Sequence, residues 1–332
     1  MEKIKIGVIG TGHLGKLHTK MYSQIDTCEL IGVYDINMEE AKLAAQEFGT
    51  KNFEDLNDLL NSVNAVSIAA STNSHYELAN ECLDKGLHVF VEKPITATIP
   101  QAEELVNLSN QKSLNLQVGH IERFNPALLA LEKYISNPLF IQTDRLAQFN
   151  PRGTDVAVVL DLMIHDIDII LSLIKSKVIS VEASGVAVVS DNVDIANARI
   201  KFENGAVANV TASRISQKKM RKMRIFQKDT YLSLDFITGT SEVYRLIPAE
   251  EKNDSHSISF GEIGVGEHKK KVVYEQPQIK EVNALKYELE LFIKSISEKT
   301  KPVISGEDGH RALRIAELIL NKIEESIQQI ND

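Results

Sequence analysis

Short apolar runs alternate with amphipathic stretches over the first 120 residues of the chain. The run at residues 4–9 is β-branched and leads into a glycine-rich turn, which is typical of a buried parallel strand. Further strands are predicted at 29–35, 65–71, 88–94 and 115–120. Helices are predicted between the strands: the first ends at Tyr22, and the others cover 38–48, 74–86 and 99–112. This alternation predicts a doubly wound parallel sheet.

After residue 120 the alternation gives way to a mixed pattern. A helix is predicted at 126–136, a strand at 140–149 and a series of strands from 178 to 236, with Asn204-Gly205 as a hairpin turn. Residues 248–280 are polar and predicted to be irregular, and two helices, 281–297 and 306–329, close the chain. We therefore expect a domain built on the parallel sheet at 1–120 and an α/β domain at 121–332, with the closing helices able to pack back on the first domain.

One predicted helix, residues 156–174, is apolar almost all round. Such a helix is buried, and its acidic residues argue against a membrane span. Its polar residues follow helical spacing and would share one stripe; they are Asp161, His165, Asp168 and Ser172. A polar stripe on a buried helix either lines a cavity or is satisfied internally. Asp161 and His165 are thus a candidate catalytic pair or a buried structural pair.

The first strand is followed by GTGHLG, a dinucleotide-binding pattern. Gly10 would allow the tight turn, Gly12 the approach of a pyrophosphate and Gly15 close packing of the next helix, whose first residues His13 and Leu14 would face the phosphates. Asp35 ends the second strand twenty residues after Gly15, where a carboxylate accepts a ribose hydroxyl, although it could also cap the next helix.

Neutral Ile36 and Asn37 follow Asp35, which favours NAD over NADP. Ligands of such sheets bind at the carboxyl ends of the strands. That rule selects further candidates for the cofactor site, which are Ser71, Asn73, His75, Glu92 and Lys93. For His75, capping of its own helix is the simpler alternative.

Charge and cysteine content restrict the class of protein. The formal net charge is −9, which argues against nucleic acid and anionic membranes as partners. The basic run at residues 218–224 alternates with methionine, and we interpret it as a strand with one solvated face rather than a nucleic-acid site. Two cysteines form neither a disulfide framework nor a metal site, and the N-terminus is not a signal peptide, so we expect a cytoplasmic protein without a metal.

Five motifs together resemble the Gfo/Idh/MocA family of NAD(P)-dependent oxidoreductases over nearly the whole chain. They are GVIGTGHLG, HVFVEKP, VGHIERFNP, VLDLMIHDIDI and SGEDGHRALRIAE. The resemblance implies a Rossmann domain followed by an α/β domain with an open, mostly antiparallel sheet. It also implies that Lys93 and His165 face the reacting carbon of a sugar, an inositol or a related alcohol.

These roles agree with the chemistry of the residues. Oxidation of a secondary alcohol needs a base, and histidine, with an ordinary pKa of about 6.5, suits that task near neutral pH. His165 is therefore the predicted base, Asp161 the group that orients it, and Lys93 the group that polarises the hydroxyl or relays the proton. Alone, Lys93 before a proline would be an ordinary surface lysine.

The HIERFNP and LDLMIHDID forms of these motifs are most similar to members that act on C3 of UDP-N-acetylglucosamine. No flexible linker separates the two predicted domains, so we expect them to pack together with a cleft between them. A diphosphate needs cationic partners, and Arg123, Arg145 and Arg152 are the candidates near this cleft, although each could instead form an ion pair. The alternatives are a dehydrogenase of a free sugar, an inositol or a non-sugar, and a dinucleotide-binding regulator without catalysis. The strands of the second domain outnumber the helices that could cover them, which predicts a homodimer or homotetramer.

Overall fold

A computed structural model describes residues 3–150, 156–251 and 257–331. The chain divides into two compact units, Met1–Phe124 with Asn283–Arg314, and Asn125–Val282 with Ile315–Asp332. The two closing helices are Ala284–Ser297 (α8) and Gly306–Asn331 (α9). Helix α8 and the first part of α9 belong to the first unit, and the rest of α9 belongs to the second.

The first unit contains a six-stranded, entirely parallel sheet. Its strands are β1 (Ile4–Ile9), β2 (Cys28–Tyr34), β3 (Lys51–Asn52), β4 (Ala65–Ile68), β5 (His88–Glu92) and β6 (Leu116–Gly119). Their spatial order is β3-β2-β1-β4-β5-β6. The chain adds β2 and β3 on one side of β1 and then β4, β5 and β6 on its other side, so the strand order reverses between β1 and β4. In such sheets the crevice at the reversal point is where dinucleotides bind.

Helices cover this sheet. They are α1 (His13–Tyr22), α2 (Met38–Phe48), α3 (Leu56–Leu60), α4 (Thr72–Asp84) and α5 (Ile99–Lys112), with α8 from the end of the chain. Helix α8 packs against α1 and β1. One core cluster joins Phe292 and Ile293 of α8 to Ile6, Tyr22 and Phe90, all at most 1% exposed. Burial of side chains of this size contributes about 1.5–3 kcal/mol each.

The second unit is built on a nine-stranded sheet. Its strands are β7 (Phe140–Leu146), β8 (Val178–Val186), β9 (Ile195–Phe202), β10 (Val207–Ser213), β11 (Met220–Gln227), β12 (Thr230–Asp235), β13 (Thr240–Pro248), β14 (Ser257–Ile263) and β15 (Lys270–Glu275). The spatial order is β14-β15-β13-β12-β11-β7-β10-β9-β8. Among these strands only β7 and β10 pair in parallel, which confirms the expected mostly antiparallel sheet.

The two faces of this sheet differ in burial. Side chains such as Ile141, Met223 and Leu232 are fully buried on one face, where Ile164–Leu173 (α7) contacts β7 and β10. Their sequence neighbours point to the opposite face, which stays partly exposed. The Asn204-Gly205 turn joins β9 to β10, and Gly205 has the positive φ, +85°, that such a hairpin requires.

Three predictions of secondary structure were wrong. Residues 126–136 form a short helix, Pro126–Leu129 (α6), and a 3₁₀ turn at Glu132–Tyr134 instead of one helix. The polar segment 248–280 contributes β14 and β15, because an edge strand needs no continuous apolar face. The helix predicted at 156–174 begins with a π-helical turn, Val159–Met163, and continues as α7.

Asp194, at the start of β9, is a fully buried carboxylate in the second unit. Its oxygens accept hydrogen bonds from the backbone N–H groups of Val188, Val189 and Ser190 at 2.7–3.1 Å and from the Ser190 hydroxyl at 2.8 Å. Burial alone would raise the pKa of this carboxyl group. The four hydrogen bonds outweigh burial and lower the pKa from 3.8 to about 2.

We expect Asp194→Asn to destabilise the protein at neutral pH and to have little effect near pH 2. The lowered pKa means that the folded state favours the ionised form, so its contribution is complete above the ordinary pKa and is lost as pH falls toward 2. The expected loss at pH 7 is about 2 kcal/mol. Urea unfolding at several pH values measures it, with exposed Asp191→Asn as the control. An equal loss at pH 7 and pH 2 would contradict this account.

Candidate active site

The turn between β1 and α1 has the geometry of a dinucleotide-binding loop. Gly10 has a φ of +89°, and a Cβ atom there would lie 2.8 Å from the backbone of Ala69. A Cβ atom at Gly15 would lie 1.8 Å from the Gly10 carbonyl oxygen, so α1 can approach the turn only with glycine at this position. A Cβ atom at Gly12 would meet nothing within 4 Å, which leaves the backbone accessible on that side.

The N-terminus of α1 follows directly. His13 and Leu14 form its first turn and are exposed, and no side chain caps the helix. The N–H groups of a first helical turn have no partner within the helix, so together with the helix dipole they favour a phosphate. The turn and the helix end therefore fit the pyrophosphate of a dinucleotide.

A cavity of about 460 Å³ lies beside this turn, within the first unit. Its lining comes from the ends of β1 and β2, the loop after β4 and helix α4. The acidic residues of the lining are Asp35, Glu77 and Glu81, and no lysine or arginine is among the described lining residues. A cavity of this charge fits an adenosine with a free ribose 2′-hydroxyl and disfavours a 2′-phosphate.

Asp35 is held in place by the glycine loop. Its Oδ2 atom accepts hydrogen bonds from the Thr11 backbone N–H at 2.6 Å and the Thr11 hydroxyl at 3.0 Å. Its Oδ1 atom accepts from the Asn37 backbone N–H at 2.8 Å. The helix cap of α2 is the side chain of Asn37, so the capping alternative for Asp35 was wrong. The carboxylate is pre-oriented at the cavity.

Three of the predicted cofactor residues follow β4, one in the loop before α4 and two in the first turn of α4. Ser71 precedes the first residue of α4 and is exposed, as is Asn73. His75 is only 1% exposed, and its ring nitrogens lie 3.1 Å from the Ala70 carbonyl oxygen and 2.9 Å from the Pro94 carbonyl oxygen. Burial lowers the pKa of His75 although both carbonyls favour the protonated ring. His75 does not cap its helix; it ties the loop after β4 to the loop after β5.

Glu92 and Lys93 lie where β5 ends, beside a buried histidine. His18, on α1, is fully buried, and its Nε2 atom is 2.9 Å from Glu92 Oε1 while its Nδ1 atom is 2.8 Å from the Ser67 hydroxyl. Burial raises the pKa of Glu92, but the hydrogen bond with His18, the charges of His18 and Lys93, and a bond with the Lys93 backbone together lower it. Glu92 is thus a fixed carboxylate next to the predicted catalytic lysine.

In the second unit, Asp161 and His165 lie on consecutive helical segments. Asp161 is in the π-helical turn and His165 is in the first turn of α7, and both are partly exposed. Asp168 is 1% exposed, and the Ser172 hydroxyl bonds to the Ile169 carbonyl of its own helix. The predicted stripe of four residues is therefore not uniformly open to solvent, because Asp168 is buried and Ser172 is bonded within its own helix.

A buried ion pair holds α7 on the sheet. The Arg145 guanidinium donates to both oxygens of Asp166, at 2.8 and 2.9 Å, and both side chains are 3% exposed. Arg145 was a candidate for substrate binding, and the ion-pair alternative was right instead. Arg123, in a 3₁₀ turn after β6, lies 3.7 Å from Asp308, and Arg152 lies outside the described residues.

The role of His18 and the pairing of Asp166 were not predicted from the sequence. A signal for His18 existed, because it shares a helical face with Gly15, Thr19 and Tyr22, all of which are buried. A polar side chain on such a face requires an internal partner. No comparable signal identified which of the acidic residues of 156–174 would pair with Arg145.

The described residues contain no cluster of three or more histidine, cysteine or acidic side chains that could hold a metal ion. Within the same residues, no helix has the length and apolar character needed to cross a membrane.

Comparison with known proteins agrees with this geometry. Residues 4–120 match the model of the oxidoreductase family with an NAD-binding Rossmann fold, and residues 140–232 match the Gfo/Idh/MocA C-terminal domain. The chain is 40% identical over 245 residues to UDP-N-acetylglucosamine 3-dehydrogenase of Acidithiobacillus ferrooxidans, which covers 74% of this chain and 78% of that protein.

A solved structure and a second relative extend the comparison. The crystal structure of UDP-N-acetylglucosamine 3-dehydrogenase GnnA from Acidithiobacillus ferrooxidans superposes with a TM-score of 0.87 at 34% identity, covering 98% of this chain and 99% of the other. Myo-inositol 2-dehydrogenase of Thermotoga maritima is 24% identical and covers 97% of each chain. The chain therefore belongs to the Gfo/Idh/MocA family of oxidoreductases. It is a dehydrogenase with an NAD-binding Rossmann domain, as the motifs predicted.

We expect the protein to use NAD in preference to NADP, and Asp35→Ser to reduce kcat/KM for NAD by about tenfold, the effect of one lost charge-assisted hydrogen bond. The reason is the carboxylate that Thr11 and Asn37 hold at an acidic cavity. Steady-state kinetics with each cofactor measure the ratio of kcat/KM for NAD to kcat/KM for NADP. Glu39→Ser, an exposed acid on α2 outside the lining, is the control. Higher kcat/KM of the unaltered enzyme with NADP would contradict the role given to Asp35.

Proposed function

We propose that this protein oxidises a secondary alcohol of a nucleotide-sugar, with C3 of UDP-N-acetylglucosamine as the first candidate. The observation that carries the proposal is the 40% identity to a UDP-N-acetylglucosamine 3-dehydrogenase in a chain that contains the predicted catalytic residues Lys93, Asp161 and His165. In this proposal, residues 1–120 bind NAD, and residues 121–332 bind the substrate and form the oligomer.

The chain must supply a base and must orient the alcohol, while bound NAD supplies the hydride acceptor. His165 takes the hydroxyl proton as the carbon loses its hydride. Asp161, which precedes it by four residues, orients the imidazole and stabilises its protonated form. Lys93 polarises the hydroxyl oxygen, and Glu92 and His18 keep the end of β5 in one geometry.

Residues of the glycine loop and the loop after β4 are proposed to bind the cofactor. The phosphates of the cofactor contact the first turn of α1 and the backbone of Gly10, Gly12 and Gly15. Asp35 binds the ribose, and Ser71 and Asn73 contact the side of the cofactor that faces solvent. Buried His75 positions these loops from behind. Arg123 and Arg152 remain predicted contacts of the substrate.

The substrate experiment measures NADH formation with UDP-N-acetylglucosamine, free N-acetylglucosamine and myo-inositol at equal concentrations. We expect kcat/KM for the UDP-sugar to exceed the others by at least about a hundredfold, because the binding energy of the nucleotide also stabilises the transition state. Equal activity on free and UDP-linked sugar would instead identify a sugar or polyol dehydrogenase, a class for which the inositol dehydrogenase relative is the precedent.

We expect His165→Ala and Lys93→Ala each to reduce kcat by about 10²–10⁴-fold, the usual effect of removing a general acid or base. Asp161→Asn should cost less, since it orients the base and transfers no proton. NAD affinity, followed by fluorescence titration, should stay unchanged. Ser172→Ala on α7 and Lys85→Ala after α4 serve as matched controls. Near-normal turnover of His165→Ala would make the Asp161 and His165 pair structural.

We also propose that the protein is a homodimer or homotetramer joined through the exposed sheet face of the second unit. A row of aromatic side chains crosses this face in register, from Phe140 and Phe226 to Tyr231, Tyr244 and Tyr274 on five neighbouring strands. Adjacent rings are 4.9–5.7 Å apart, and Phe226 is 38% exposed. An exposed apolar patch of this kind is typical of a protein interface.

Light scattering at micromolar concentration tests the assembly, and we expect two or four copies. Phe226→Asp should shift the protein toward the monomer, because it places an unpaired charge in the interface. Leu43→Asp, at a 55% exposed position of α2 in the first unit, is the control. A monomer in the unaltered protein would contradict the proposal.

A cytoplasmic location completes the proposal. Cys28 and Cys82 are both free and buried, and burial raises the pKa of each thiol to about 12. Unpaired thiols are usual in a reducing compartment.

A further inference from the structure

The basic run at residues 218–224 does not lie on one solvated face. It enters β11 at Met220, and the pleat of the strand divides it. Met223 and Ile225 are fully buried on the face that α7 contacts. Arg221 lies two residues before Met223 in the strand, so its side chain points to the same face. Lys222 points to the opposite face and lies 3.6 Å from Asp235.

The strand register places Arg221 close to the helix that carries the predicted catalytic pair. Arg221 is paired with Arg145 of β7, and Arg145 holds Asp166 of α7. Arg221 and Lys219 are exposed, whereas Arg145 is 2% exposed. The two basic side chains thus emerge where the helix-covered face of the sheet becomes open to solvent.

At this point the second unit has a cavity of about 260 Å³. Asp161 from the π-helical turn, Arg214 from the end of β10, and Lys219 and Arg221 from the start of β11 contribute its charged lining. Gln148 and Asn150 add amide groups after β7. Three cations and one carboxylate make the cavity net positive, in a chain whose formal net charge is −9.

Arg214 has a structural task in this cavity. Its side chain is 6% exposed, it lies 3.9 Å from Asp194, and it donates a hydrogen bond to the Val156 carbonyl. Lys219 and Arg221 come from the start of the neighbouring strand and are exposed, so two solvent-accessible cations lie beside one that is buried. Like charges that share one cavity repel one another, and a bound anion would reduce this repulsion.

We propose that Lys219 and Arg221, with Arg214 behind them, bind the diphosphate of the nucleotide-sugar. This inference rests on the proposed function and gives the diphosphate partners that replace Arg145, which is committed to Asp166. Arginine binds phosphate oxygens in a bidentate manner and lysine binds them as a point charge. The cavity is smaller than the roughly 300–1,000 Å³ of a site for a whole ligand, so it suits one charged group.

The position of Asp161 links this anion site to the chemistry. Asp161 lines the same cavity and lies four residues before His165. A diphosphate held here would place the attached sugar next to the helix that carries the proposed base. The run at 218–224 therefore contributes to specificity for nucleotide-linked over free sugars.

The test uses Lys219→Ala and Arg221→Ala in the full-length enzyme, with Lys222→Ala as the matched control from the opposite face of β11. Loss of a charge-assisted hydrogen bond costs about 1.5–3 kcal/mol, so we expect KM for UDP-N-acetylglucosamine to rise about 10- to 100-fold. The kcat value, KM for NAD and the melting temperature should stay close to those of the unaltered enzyme. Arg221→Lys should restore part of the affinity, because it keeps the charge and loses the bidentate geometry.

Calorimetric titration with UDP and with inorganic pyrophosphate gives a readout without turnover. We expect both to bind the unaltered enzyme, and both to bind the two variants at least about tenfold more weakly. If UDP-N-acetylglucosamine is turned over and its KM is unchanged in Lys219→Ala and Arg221→Ala, this inference is wrong while the proposed function stands. If only free sugars are oxidised and neither UDP nor pyrophosphate binds, both are wrong. A raised KM for NAD alone would assign these cations to the cofactor and would also overturn the inference.

Discussion

The ion pair between Arg145 and Asp166 is the contact on which the candidate site of the second unit depends. Both charged side chains are almost completely buried, and the guanidinium donates a hydrogen bond to each carboxylate oxygen. Removing one partner of such a pair leaves an uncompensated buried charge, which typically costs about 3–5 kcal/mol. The pair fixes α7 against β7, and so it also fixes His165 one residue before Asp166 and Asp161 one turn earlier.

The first unit uses the same principle at the end of β5. His18 is fully buried and both of its ring nitrogens have a partner, in Ser67 and Glu92, and the Glu92 carboxylate stays ionised beside Lys93. Gly119 lies against this carboxylate, since a Cβ atom there would be 2.9 Å from it. The predicted catalytic groups are thus carried by rigid strands and helices, which suits a reaction that depends on precise orientation.

The anion-binding cavity shows how a protein with a net negative charge can present a local positive site. Strand pleating separates adjacent basic residues, so Arg221 faces the cavity while Lys222 meets Asp235 on the other side. The aromatic row from Phe140 to Tyr274 uses the same alternation for another purpose, because it occupies the face that the helices leave uncovered. One sheet thereby presents the proposed anion site on one face and a candidate subunit interface on the other.

The sequence by itself determined that the strands of the first sheet are parallel, where the glycine turn lies and where Asp35 lies. These features depend on local spacing and on the alternation of strands and helices. Helix bounds such as 99–112 also follow from local signals, here Thr98 as the cap and Pro100 in the first turn. The tertiary structure alone decided which of several acidic residues would pair with Arg145, that residues 159–163 would form a π-helical turn, and that Arg221 would join Asp161 in one cavity. These outcomes depend on contacts between residues far apart in the chain, which local periodicity does not encode.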